Sequence, residues 1–225
     1  MATVTDIDGN TYETVQIGDQ LWMAENLKAT HYRNGDAIPT GLDSDAWANT
    51  TEGAYAYYND DPANEEVYGN LYNWYAVNDE RGVCPEGFHI PSLIDGNILI
   101  EYLGGEDVAG GKVKEEGTEH WNSPNEGATN ESGLTIIPGG YRFDTGNYPN
   151  QLGANASFWY SSTYDDGNVN HLSHYYGVSN HHSVFQNGFD EWNFGLSVRC
   201  LSDELQTTTI LVPENFASIQ EAIDY

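Results

Sequence analysis

Four of the seven histidines in this 225-residue chain fall in one stretch, NHLSHYYGVSNHHSVF, as His171, His174, His181 and His182. Imidazoles this close together suit three kinds of chemistry: a zinc-type site, proton transfer beside a nucleophile, or polar contacts on a binding face. Spacing weighs against the metal. On a helix His171 and His174 would share a face, but the surrounding Ser, Tyr, Gly and Val favour strand, where residues three apart point to opposite sides. Hydrolysis fares no better. Ser161, His171 and Asp165 offer the residue types of a triad, yet no G-x-S-x-G elbow surrounds any serine. The chain therefore reads as non-catalytic.

The binding-face reading draws on the wider segment 159–192. Its aromatic residues Trp159, Tyr160, Tyr176, Phe185 and Trp192 offer large contact area with few rotatable bonds. Between them stand the amides Asn168, Asn170, Asn180 and Asn187, the acids Asp165, Asp166 and Asp190, and the imidazoles of His171, His174 and His182. Aromatic anchors among adaptable hydrogen-bonding groups are the composition of paratopes. The same mixture suits sugars, whose C–H faces stack and whose hydroxyls need donors and acceptors. A glycan or protein ligand is the expected partner.

Charge narrows the partners further. Seven basic against 35 acidic residues give a net charge of −28. Such a surface repels nucleic acid and anionic membranes, which require Lys and Arg to displace counterions. The excess acid is explained by solubility or by Ca²⁺, the one cofactor this sequence suggests. The candidate ligands are Asp60, Asp61 and Glu65 in NDDPANEE, with Asp165, Asp166 and Asn168 in TYDDGN as a second cluster. Asp6, Asp8 and Asn10 alternate like the start of a calcium loop, but the downstream Glu is missing, and a turn is expected there. No apolar run approaches the roughly 20 residues of a membrane-spanning helix. The start MATVTDIDGN has neither a charged leader nor an apolar segment, as in a mature chain.

Elements must position these groups. TVTDIDGNTYETVQIGDQLWM reads as a hairpin with turns at DGN and Gly18-Asp19. Two helices are expected, a short one in YGNLYNWYAVND and a second over Leu93–Leu103. Ser92 is the N-cap of the second, Asp95 its capping-box partner, and Gly104-Gly105 its stop. From Leu134 the runs LTIIPGGYRF, SFWYSST, VNHLSHYYGV, HSVFQNGF and FGLSVRCL alternate with Gly, Asn and Asp as short strands. This order is that of an α+β domain. Composition changes after Asp203, dividing the chain into a domain at 1–203 and a linker plus a following segment at 204–225. That segment, ILVPENFASIQEAIDY, resembles the opening turn of right-handed parallel β-helix proteins such as pectin lyases, as in a multi-domain chain. The two cysteines, Cys84 and Cys200, are too few for a four-cysteine zinc site; bonded, they would contribute roughly 4–5 kcal/mol.

DIDGNTYETVQIGDQLWMAENL, YGNLYNWYAVND, CPEGFHIPS, EYLGG, AGGKVKEEGTEHW, ATNESGLTIIPGGYR, WYSST and LSVRCLSD occur in this order. Together they resemble the FISUMP domain, the Fibrobacter succinogenes major paralogous domain. The resemblance implies a C-type-lectin-like fold of the formylglycine-generating-enzyme kind, and a disulfide between Cys84 and Cys200. It also implies a secreted or cell-surface bacterial module with no established activity. The related enzymes use free thiols with copper, so a metal-dependent enzyme is the least favoured alternative and a spacer domain without its own ligand the main one. Two departures from relatives stand out: Gly96 where a Trp is expected, and a 169–200 stretch free of Lys and Arg until Arg199.

Overall fold

The computed structural model describes residues 2–165, 167 and 171–204. The β-helix-like reading of the tail beyond Glu204 lies outside the described residues. Strands β1 (Thr3–Thr5), β2 (Thr11–Ile17) and β3 (Gln20–Met23) form the expected double hairpin. Asp6 makes its first turn: one carboxylate oxygen accepts from Asp8 N and Asn10 N, both at 2.9 Å, and the other from the Tyr12 hydroxyl at 2.5 Å. Asp6 and Asn10 are thus spent on an Asx turn, and the Asp8 carboxylate accepts from Thr30 N at 2.6 Å and His31 N at 3.2 Å.

Helices are more numerous than expected. Besides α3 (Trp74–Val77) and α4 (Leu93–Tyr102), the chain forms α1 (Ser44–Asn49), α2 (Ala63–Tyr68) and α5 (Glu106–Val113). Elements of six residues or fewer are too short to show a 3.6-residue period. In α5 the period is blurred by Gly110 and Gly111, which let the helix approach the Val184 and Gly127 carbonyls; a Cβ there would stand 2.4 and 2.2 Å from them. Conversely, the first helix expected over YGNLYNWYAVND begins as a strand, β5 (Leu71–Tyr72), paired with β4 (Tyr55–Ala56).

The capping box of α4 forms as the sequence predicts. Ser92 Oγ accepts from Asp95 N at 3.3 Å, and Asp95 Oδ2 accepts from Ser92 N at 2.7 Å. Gly96, one position later, is buried beneath the Tyr160 phenol; a Cβ would lie 1.8 Å from its oxygen. The Tyr160 ring therefore fills the volume over Gly96.

Two antiparallel sheets carry the rest. Strand β10 (Leu201–Ser202) joins β3 to β6 (Phe88–His89), so both ends of the described chain meet in one five-stranded sheet. A three-stranded sheet is built from β7 (Asn155–Tyr164), β8 (Leu172–Ser179) and β9 (Gln186–Glu191). The LTIIPGGYRF run is not a strand. Pro138, Gly139-Gly140 and a left-handed Thr135 (φ 53°) reduce it to single bridges, among them Gly140 to Ala156 and Arg142 to Gly195. β7 separates two cores, with Trp159 pointing into one and Phe158 and Tyr160 into the other. The arrangement is α+β. Cys84 and Cys200, 116 positions apart in sequence, form a buried disulfide with Cα atoms 5.9 Å apart.

Three of the seven basic residues, Lys114, Arg142 and Arg199, are buried. Lys114 Nζ donates to the carbonyls of Glu126, Ser179 and His182 at 2.9–3.0 Å. Arg199 donates to Asn26 Oδ1 and to the Leu134 and Thr135 carbonyls. Arg142 donates to the Gly146 and Leu42 carbonyls, both at 2.9 Å, with its guanidinium 4.3 Å from the Trp47 ring centre. Burial lowers the Lys114 ammonium to about 8 and the Arg199 guanidinium to about 10.

Gly96→Ala is expected to cost about 1–3 kcal/mol by overpacking against Tyr160, despite the better helix propensity of alanine. Urea unfolding measures this, and a neutral or stabilising result would contradict the packing. Replacing Cys84 and Cys200 together by Ala is expected to lower stability by roughly 4–5 kcal/mol, with no further loss on adding reductant.

Candidate functional site

The four histidines do not converge. His171 stacks on Trp192 (ring centres 4.3 Å apart), which stacks on Trp74 at 4.6 Å. His174, on the helix-facing side of β8, meets Tyr164 edge-on at 5.4 Å. His181 and His182 sit in the turn beyond β8, roughly 25 Å along the strand from His171. Among the described residues no group of three His, Cys, Asp or Glu side chains is placed to hold a metal ion.

The predicted Ca²⁺ carboxylates are each engaged locally. Asp60 accepts from the Tyr148 hydroxyl at 2.6 Å, Asp61 from the Ala63 backbone at 3.0 Å, and Glu65 from the Asn70 amide at 3.3 Å. In the second cluster Asp165 accepts from Gly167 N at 2.8 Å, closing a turn. Asp166, Asn168 and Asn170 lie outside the described residues.

Five of the twelve described residues of the expected contact face are core. Trp159, Tyr160, Tyr176, Phe185 and Asn180 are at most 2 % exposed and cannot reach a ligand. Trp159 turns into one core and donates to the Tyr72 carbonyl at 2.8 Å. For Tyr160, Tyr176 and Phe185, in the other core, the cause is geometric: β7 and β8 are covered on the helix side by α4 and α5, so the aromatics that alternate toward it become packing. Phe158, Tyr176 and Phe185 stack in sequence there. Asn187, exposed on β9, accepts from the Tyr160 hydroxyl at 3.1 Å and marks the rim.

The opposite face of the same sheet holds a groove of about 300 Å³. Its floor is Asn155 and Ser157 on β7, Tyr175 and Gly177 on β8, and Gln186 and Asp190 on β9. Its wall is Tyr141, Phe143 and Phe194, a cluster of mutually edge-on and tilted rings 5.5–6.4 Å apart. Arg142 explains the wall. It pairs with Gly195 through two 2.9 Å backbone bonds, and its side chain turns into the core. Extended-chain alternation then sends Tyr141 and Phe143 outward into the groove. Glycines shape the floor: a Cβ on Gly188 would stand 2.7 Å from the Tyr175 ring, and one on Gly177 3.0 Å from the Ala156 carbonyl.

Asp190 is the charged group of the groove. Its carboxyl is pushed up to about 7, first by burial and then by the negative charges of Glu191 and Asp144. Burial raises the Tyr141 and Tyr175 phenols, and the Asp190 charge adds to both. Of these groove residues only Asp190 was legible beforehand. Tyr141, Phe143, Tyr175 and Phe194 were missed, although the alternation of Tyr141-Arg142-Phe143 was a usable signal.

The family model described as the Fibrobacter succinogenes major domain matches residues 15–202 of the chain. No curated protein and no solved structure matches it.

Asp190 also sets a pH dependence. With its folded value raised, the stability associated with a neutral carboxyl is complete below about 3.8 and lost as pH rises through about 7. Asp190→Asn should therefore melt higher than the parent at pH 8 and close to it at pH 4. Melting temperatures across that range test this; a gap independent of pH would refute it.

Proposed function

We propose that this chain, which belongs to the Fibrobacter succinogenes major domain family, is a non-catalytic recognition module that holds a glycan in the groove across β7, β8 and β9. One observation carries the reading: four aromatic rings line a cleft whose polar side chains, Asn155, Ser157, Gln186 and Asp190, are donors and acceptors. Ring faces take the C–H side of a sugar, and amide, hydroxyl and carboxyl groups match its hydroxyls. At about 300 Å³ the groove stands at the lower limit of ligand pockets, which suits one sugar unit or a chain end.

The finer assignments belong to the same proposal. A C-type-lectin-like fold is supported by the union of the first strands with the last, and by a long irregular segment between α5 and β7. A secreted or cell-surface location is supported by the buried disulfide, since such bonds persist in oxidising surroundings.

Immobilised-glycan screening, followed by titration of the best binder, tests the function. Tyr175→Ala and Phe194→Ala are expected to weaken binding by roughly tenfold each. Phe189→Ala, on the other face of the sheet, should leave it unchanged. A broad screen without a binder, or a binder indifferent to Tyr175 and Phe194, overturns the proposal in favour of a spacer domain.

A further inference from the structure

We propose that the groove selects an amino sugar with a free, protonated amine over its neutral N-acetylated form. This rests on the glycan reading above and names the ligand's charge. Among the described residues the Asp190 carboxyl has no hydrogen-bond or ion-pair partner, although it lies in a cleft walled by Tyr141, Phe143, Tyr175 and Phe194. A carboxylate inside an aromatic enclosure is the arrangement that holds an organic ammonium: the ring faces attract the cation, and the carboxylate accepts its N–H bonds.

Among the described residues no lysine or arginine supplies a cation to this place. Lys114 and Arg199 are committed to carbonyls in the core, and Arg142 turns away from the groove it supports. Lys28 and Lys112 reach Glu66 and Glu131, and Arg81 holds Asp79 and Asp36. Arg33 lines a different cleft, beside Pro85 and Glu86. The other charged groups that act on Asp190, Glu191 and Asp144, are also acids, so a bound ammonium relieves a local excess of negative charge. Ser157, Gln186 and the Asn155 Oδ1 remain for the sugar hydroxyls, the Asn155 amide N–H being given to Gln151.

The test is calorimetric titration at pH 7.0, where a substantial share of the Asp190 carboxyl is ionised, with a glucosamine tetramer, its fully N-acetylated counterpart, and a short lysine peptide blocked at both ends. The expected result is at least about tenfold tighter binding of the free-amine tetramer. Asp190→Asn should abolish that preference while keeping the weaker binding of the acetylated one. The melting temperature of the variant confirms that it is folded. Equal binding of the two tetramers overturns the charge selection but leaves glycan recognition standing. Binding of the lysine peptide alone overturns the sugar assignment, and binding of none of the three overturns both proposals.

Discussion

Buried cations surrounded by backbone carbonyls hold this domain together. A fold with short helices and one long irregular connection leaves many carbonyl groups without partners in helices or sheets, and buried ones must still be hydrogen-bonded. Lys114, Arg142 and Arg199 meet that demand with several donors each. Lys114 joins the end of α5 to the 126 loop, the end of β8 and the His182 turn. Arg199 joins the last strands to the 134–135 segment. Ionised groups are costly to bury, and breaking such a cage leaves an uncompensated charge or several orphaned carbonyls. The loops are thereby fixed as firmly as regular elements.

The same economy of cations determines the surface. With three of seven basic residues inside, the exterior of a chain of net charge −28 has few positive groups to set against its acids. The groove shows the local consequence. Arg142 supports the wall from behind, while its charge is directed toward Trp47 and the Leu42 and Gly146 carbonyls. The front of the wall keeps its rings, and among the described residues Asp190 has no cation beside it. Anchoring the site and leaving it negative are two results of one side-chain orientation.

Legibility in the sequence followed the range of the interactions. The double hairpin, the Ser92–Asp95 capping box and the helix it starts depend on neighbours within a few positions, and all three were readable. The disulfide was readable only through the family resemblance. The alternation of Tyr141-Arg142-Phe143 was readable, but the wall it forms with Phe194 was not, because the pairing of Arg142 with Gly195 brings them together across more than fifty positions. Aromatic density at 159–192 was a true signal with an ambiguous direction. A strand buried on one face and grooved on the other gives the same composition whichever rings turn outward.

That ambiguity also accounts for the histidines. Along β8 the residues that alternate toward the helices, such as His174 and Tyr176, belong to packing and its margin, while Tyr175 and Gly177 face the groove. His171 extends the Trp192–Trp74 stack, and the His182 carbonyl is one of the three that hold Lys114. The cluster is an accident of linear order on a strand whose two faces do different work. Its structural service is nevertheless connected to the groove, because Trp192 and Phe194 lie on one short turn. The stack that His171 caps fixes one end of that turn, and the Arg142–Gly195 pairing fixes the other. Phe194 stands between these two constraints, so the groove wall is held by a core stack on one side and a caged cation on the other.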